Sequence, residues 1–139
     1  MLLSLPNALG DAATNMAIDY SLLETLPAGT AALRHYGWTE PSITFGYTQH
    51  YQQVLELDNA DCALCRRPTA GGIVDHRNDW TYALILNNQL PCAGNAPTEL
   101  YAQVHRALQA ALKLLAKIES QLAPCPRACT KSSTVPKPS

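Results

Sequence analysis

Between Ala31 and Leu86 the chain passes through five short runs of aliphatic, β-branched and aromatic residues, most of them set off by Gly, Pro, Asn or Asp. The pattern predicts strands over Ala31–Tyr36, Ser42–Tyr47, Cys62–Arg67, Ile73–His76 and Trp80–Leu86. Gly37-Trp38-Thr39-Glu40-Pro41 joins the first two, with turn chemistry at both ends. Strands this short and this closely spaced leave little room for repeated parallel crossovers. Antiparallel or mixed pairing is therefore expected.

Helical periodicity appears on either side of these strands. Asp11 is a suitable N-cap, and Ala13, Met16, Ala17, Tyr20 and Leu23 then fall at three- and four-residue spacing. This predicts an amphipathic helix to about Glu24, broken by Pro27-Ala28-Gly29. Toward the other end, Thr98 can cap a helix with Glu99 in its first turn. Leu100, Val104, Leu108, Leu112, Leu115 and Leu122 then keep one apolar stripe, expected to pack across the sheet. At Pro124 the composition changes: four prolines, no acid and no aromatic follow. Such a segment buries too little apolar surface to offset its ordering entropy. The expected organisation is one domain over residues 1–123 and a disordered Pro/Ser/Lys-rich tail over 124–139.

The 139 residues are 47% hydrophobic and 15% charged, enough for an ordinary core. A net charge of −1 argues against bulk electrostatic attraction to nucleic acid or anionic lipid. Leu2-Leu3-Ser4-Leu5-Pro6 is too short for a signal core, and no window approaches the roughly 18 apolar residues of a membrane span. With an odd number of cysteines, five, a reducing, cytoplasmic setting is the expectation.

The chemistry concentrates in Arg66-Arg67-Pro68-Thr69-Ala70-Gly71-Gly72-Ile73-Val74-Asp75-His76. Backbone without Cβ atoms approaches a ligand closely and can aim its N–H groups inward, while the arginines supply fixed positive charge. These are the parts of an anion cradle. A plain hairpin loop would also use the glycines, for their positive φ. No Gly-Lys-Ser/Thr follows, so this is not a P-loop.

Trp38 is either a partly buried core residue or an apolar pocket wall with an N–H donor. His76, flanked by Asp75 and followed by Asp79, stands near no recognisable nucleophile motif. His35, His50 and His105 say less. Cys62 and Cys65 form a C-x-x-C pair, but residues three apart on a strand face opposite ways. They read as reduced, buried thiols rather than zinc ligands, and no metal site is expected.

Set in order, several stretches resemble the lipoate–protein ligase A family of the biotin/lipoyl ligase superfamily. Asp11-Ala12-Ala13-Thr14-Asn15-Met16-Ala17-Ile18-Asp19 is similar to the family's opening helix. Leu33 to Trp38 with Pro41 to Gln49 resembles its tryptophan loop and following strand, and Arg66 to His76 its ligand loop. Asp79-Trp80-Thr81-Tyr82 begins the next strand. The resemblance implies an α/β (α+β) fold with a central mixed, largely antiparallel sheet flanked by helices.

The activity it implies is ATP-dependent activation of lipoate to lipoyl-AMP, then transfer to a lysine of a lipoyl-carrier domain. That carrier would be of the 2-oxoacid dehydrogenase or glycine-cleavage type. ATP with magnesium and lipoate would be substrates, with no resident metal or prosthetic group. Trp38 and His76 would line the lipoyl pocket; Arg67, Thr69, Gly71 and Gly72 would surround carboxylate and phosphate, with Arg67 rather than Arg66 as the inward cation.

Two departures stand out. The family usually has three glycines where this chain has Ala70-Gly71-Gly72, so Ala70 is tolerated only if its φ is not positive. The family's clamp lysine, in a Lys-Ile-Ala/Ser-Gly-like motif after the long helix, has no counterpart. Lys117, Lys131 and Lys137 have the wrong surroundings. No catalytic residue is assigned, and the expectation is a C-terminally incomplete family member, truncated or frame-shifted. The alternatives are an octanoyltransferase of the same superfamily, or a non-catalytic ligand- or carrier-binding module. The transferase would need a reactive cysteine, for which Cys125 in the Pro-rich tail is a poor candidate.

Overall fold

Ala31–Trp38 (β3) alternates buried Ala32, Arg34 and Tyr36 with half-buried Leu33, His35 and Gly37, the two-residue period of a strand covered on one face. The computed structural model describes residues 1–56 and 61–122. The predicted tail from Pro124, with Cys125 and Cys129, lies outside them. The chain divides into two compact units, Met1–Leu90 and the segment from Pro91 onward.

In the first unit, two short strands that sequence periodicity does not reveal, β1 (Leu2–Ser4) and β2 (Ala8–Gly10), run parallel to the two ends of β3. Thr81–Leu86 (the seventh strand of the chain, β7) pairs antiparallel along β3 from Ala31 to Tyr36. Because Tyr36 pairs with both Ala8 and Thr81, β1 and β2 occupy the edge of β3 opposite β7. A second sheet has β4 (Ser42–Phe45) at its centre, with β5 (Ala63–Arg66) parallel on one side and β6 (Ile73–Asp75) antiparallel on the other. Pairing is mixed, as expected, and all five predicted strands form. Among the described residues, however, three of the five pairings are parallel and the strands divide between two sheets. The single, largely antiparallel sheet expected is therefore not what forms. The first two predicted strands do not pair with each other: the chain leaves one sheet at Trp38 and enters the other at Ser42.

Helix α1 (Ala12–Thr25) starts where predicted, with Asp11 accepting from the Thr14 N–H at 2.7 Å. Its inward face is not the predicted one. Ala13, Ala17, Tyr20 and Leu23 are exposed, while Ala12, Asn15 and Met16 are buried and Asp19 and Leu22 half-buried. Two polar residues on the inward stripe disguise it. Asn15 Nδ2 donates to the Gly10 and Gly37 carbonyls at 3.1 Å each, tying the helix to β2 and β3.

Apolar packing forms two clusters: Leu26, Ala32 and Ile85 with Leu3, Leu22 and Ala83; and Ile43, Phe45 and Val54 with Cys62, Leu64 and Ile73. Val54, from the short helix α2 (Tyr51–Leu55), is fully buried. Cys62 sits in the second cluster, whereas Cys65 pairs with Thr44 on the other face of that sheet. Cys62 lies just before β5 and Cys65 within it, and both are half-buried rather than buried as expected.

The second unit begins with a 3₁₀ turn, Pro91–Gly94, followed by α3 (Pro97–Ala111). Ala96, not Thr98, occupies the N-cap, because Pro97 with its locked φ takes the first helical position. Glu99 does lie in the first turn. The helix then widens into a π turn over Leu112–Ala116 and stops at Lys117, whose φ of 57° is left-handed. Leu122 is therefore not on the predicted stripe, and Leu114 and Leu115 are exposed. Among the described residues no helix is long and apolar enough to cross a membrane.

Candidate functional site

Thr44 is the polar residue between Ile43 and Phe45. Its neighbours in sequence turn into the apolar cluster, so strand alternation turns Thr44 to the opposite face, where it is fully buried. There its hydroxyl accepts from Arg67 Nη1 at 2.8 Å and lies 2.7 Å from His76 Nε2. On the far side of the imidazole, Nδ1 is 2.5 Å from Asp79 Oδ2. Asp79 Oδ1 accepts from the Thr81 hydroxyl at 2.8 Å, which accepts from Trp38 Nε1 at 2.9 Å. The Trp38 and His76 rings stack with centroids 4.1 Å apart and planes 22° apart. Arg67, His76 and Trp38, singled out from the sequence, are thus joined in one chain of hydrogen bonds. Its other links, Thr44, Asp79 and Thr81, were not singled out.

The ligand loop between β5 and β6 is held by its carbonyls. Thr69 O accepts from the Tyr47 N–H at 3.1 Å and Gly71 O from Gln49 Nε2 at 3.1 Å. Gly72 O accepts from both the Gly46 N–H, at 3.2 Å, and Arg67 Nη2, at 2.7 Å. In a planar trans peptide the next residue's N–H points opposite to the carbonyl. The N–H groups of Ala70 and Gly72 are therefore directed away from the Gly46–Gln49 segment, on an exposed stretch of loop. This is the geometry an anion cradle needs.

Gly71, at φ +112°, uses glycine's freedom, while Ala70 is not at positive φ and its methyl is accommodated. Gly46 is required for a different reason. A Cβ there would stand 2.3 Å from the Gly71 oxygen, so the loop can lie this close only because position 46 lacks one.

The two arginines have different tasks. Arg66 is exposed and donates to the Tyr47 and Gln49 carbonyls at 2.8 and 3.0 Å, its guanidinium 4.9 Å from the Phe45 ring centroid. Arg67 is the one directed to Thr44 and the loop. Trp38 is the last residue of β3 rather than part of the following loop, in register with Gly10. A shallow cleft of about 360 Å³ opens beside it, lined by Trp38, Glu40, Pro41, His76 and Arg77 among others.

At the rim of that cleft, Arg77 grips Asp75 through its side chain, Nε to Oδ2 at 2.9 Å, and through its backbone N–H, to Oδ1 at 3.0 Å. These bonds hold the Asp75 carboxyl down to about 2. With a depressed folded value, any stabilisation it gives is present above the ordinary carboxylate range and is lost as pH falls through about 2. Arg77→Ala removes the side-chain bonds but keeps the backbone N–H bond, so it should raise the Asp75 titration midpoint, followed by carboxyl NMR, part of the way toward the ordinary 3.8. An unchanged midpoint would show that the Arg77 side chain is not the main cause.

Cys65 also lies on the Thr44 face. Burial first, and the nearby Asp11 charge second, push its thiol up. Among the described residues, no group of three or more His, Cys, Asp or Glu side chains is placed to hold a metal ion.

Comparison with known proteins places this geometry in a family. The lipoyl protein ligase A/B catalytic domain matches residues 11–127. The octanoyltransferase LipM of Carboxydothermus hydrogenoformans is 36% identical over 118 residues, covering 80% of this chain and 43% of that protein. The octanoyltransferase LipM of Oceanobacillus iheyensis is 30% identical over 116 residues, 80% of this chain and 42% of that protein. The chain thus spans less than half the length of the curated relatives it matches.

Among solved structures, lipoate-protein ligase A bound with ATP superposes with a TM-score of 0.63 at 22% identity, covering 83% of this chain and 46% of that one. A bi-partite lipoate protein ligase from Thermoplasma acidophilum gives 0.57 at 20% identity, covering 82% and 46%. These likenesses establish the shared fold. With the family's domain matched from Asp11 through the whole Trp38–His76 constellation, the chain belongs to the lipoyl protein ligase A/B catalytic domain family.

Proposed function

We propose that this chain carries the acyl-recognition groups of an octanoyltransferase-type site, serving transfer of an octanoyl group from a carrier thioester to a lysine of a lipoyl-carrier domain. The observation that carries the reading is the Arg67–Thr44–His76 chain set against the Trp38–His76 stack. It puts a fixed cation and an exposed glycine loop within one or two residues of an aromatic wall. A medium-chain acyl group has these two needs: an apolar surface for its tail, and donors for the oxygen that gains charge when the carbonyl is attacked.

Transfer from a thioester is favoured over ATP-dependent ligation of lipoate because the curated relatives cited above are named octanoyltransferases. Cys65 receives no nucleophilic role, because a thiol pushed up by burial is the opposite of a ready thiolate.

The test is to incubate the chain with octanoyl-loaded acyl carrier protein and a lipoyl-carrier domain without ATP, and to follow the carrier domain by mass. Octanoylation, abolished by Arg67→Ala, is the expected result. A lipoyl adduct formed only with lipoate, ATP and magnesium would establish the ligase instead. If neither adduct forms, calorimetry with a non-hydrolysable octanoyl thioester decides whether the chain binds acyl groups without transferring them. No heat from a folded sample would overturn the proposal.

A further inference from the structure

The hydrogen bonds of the site run in one direction. Arg67 and Trp38 possess only donors, so each chain must start from them. Arg67 donates to the Thr44 hydroxyl, and Trp38 donates to the Thr81 hydroxyl. Each hydroxyl has one hydrogen to pass on. Thr81 passes its hydrogen to Asp79 Oδ1. Thr44 can pass its own to His76 Nε2 only if that nitrogen is bare, which requires the proton on Nδ1, facing Asp79 Oδ2. Both chains then end on the two oxygens of one carboxylate, and every donor and acceptor in them is satisfied.

We infer that Asp79 is a positioning residue for the acyl site: as the common acceptor, it fixes His76 as the Nδ1–H tautomer and, through Thr44 and Thr81, orients Arg67 and Trp38 together. Its role in acyl recognition rests on the function proposed above; the hydrogen-bond direction does not. Without this acceptor an imidazole takes up Nε2–H readily. That proton would compete with Arg67 for the Thr44 oxygen and leave the Thr44 hydrogen without its present partner. The aromatic wall would loosen as well, because Thr81 would lose the bond that holds its hydroxyl at the indole N–H.

The experiment is long-range ¹H–¹⁵N NMR on the full chain with labelled histidine, at a pH where the imidazole is neutral. His76 is assigned from the spectrum lost in His76→Gln. The wild-type chain should show His76 with Nδ1 protonated and Nε2 bare; Nε2–H in the wild type would overturn the inference without any further variant. Asp79→Ala should move His76 toward Nε2–H, Asp79→Glu should restore Nδ1–H at least in part, and Thr81→Val should leave it unchanged. A tautomer that persists in a folded Asp79→Ala chain would equally overturn it.

In calorimetry with the octanoyl thioester analogue, Asp79→Ala should weaken binding by about 10–100-fold, by analogy with the range for removing a carboxylate that orients a metal-ligating histidine. Asp79→Glu should recover part of this loss. Correct tautomers with no binding in the wild type would remove the acyl-site reading and leave the hydrogen-bond role of Asp79 standing.

Discussion

Arg34→Ala should destabilise the first unit by about 3–5 kcal/mol, the range for removing one partner of a buried ion pair. Arg34 is 3% exposed, and the Asp19 side chain is 18% exposed. The guanidinium donates to Asp19 Oδ1 at 2.6 Å, to the Asn15 carbonyl at 3.1 Å and to Asn15 Oδ1 at 3.0 Å, and it lies 4.0 Å from the Tyr36 ring centroid. The Tyr36 hydroxyl donates to the other Asp19 oxygen at 2.8 Å; burial, reinforced by the Asp19 charge, pushes that phenol well up.

Truncation would leave the Asp19 carboxylate without its main counter-charge and two Asn15 oxygens without the donors they now have. Against a total stability of about 5–15 kcal/mol for a typical domain, that is a large fraction. Urea unfolding measures it. Arg34→Met combined with Asp19→Leu should cost less than Arg34→Ala alone, because no unpaired charge remains. A loss under about 1 kcal/mol for the single variant would show that the cluster does not hold α1 to β3 as argued.

This cluster also explains why part of the fold could be read from the sequence and part could not. Helix start and strand positions depend on local signals, and Asp11, the Gly-Pro punctuation and the β-rich runs supplied them to within a residue or two. The inward face of α1 depends on partners in β3. Asn15 and Asp19 look like surface residues until Arg34 and Tyr36 are placed beneath them, so a hydrophobic count selects the wrong stripe. β1 and β2 are three residues each, too short for any period to show, and exist because β3 offers them an edge.

The site divides in the same way. Arg67, Gly71 and Gly72 announce themselves by composition within one loop. Thr44 is 32 residues from His76 and resembles any β-branched strand residue. Its one signal is being polar between Ile43 and Phe45, which two-residue alternation turns away from the apolar core. Asp79 lay in view three residues after His76, but its meaning required knowing that Thr81 and Trp38 converge on it.

Gly46→Ala is expected to cost about 10²-fold in octanoyl transfer, more than its effect on folding would suggest. The new Cβ would lie 2.3 Å from the Gly71 oxygen and 2.8 Å from both the Ala70 carbonyl carbon and the Gly71 nitrogen. These are backbone atoms, so no side chain can swing aside. Opening the closest contact to 3.0 Å needs a shift of about 0.7 Å in the loop. That shift would strain the bonds from the Gly46 N–H and Arg67 to Gly72 O and from the Tyr47 N–H to Thr69 O.

Overpacking of this kind costs about 1–3 kcal/mol in stability, whereas misplacing a binding group by about 1 Å can cost 10²-fold in rate. Gly72→Ala is the informative contrast. Its φ is not positive, and its Cβ meets no protein atom within 4 Å. It should therefore fold as well as the parent, so any loss of transfer it causes measures how closely the acyl group's oxygen approaches the loop. If Gly46→Ala transfers octanoate at the parental rate, the loop is not part of the acyl site. If Gly72→Ala alone does, the ligand is gripped through Arg67 and the Ala70 N–H rather than at Gly72.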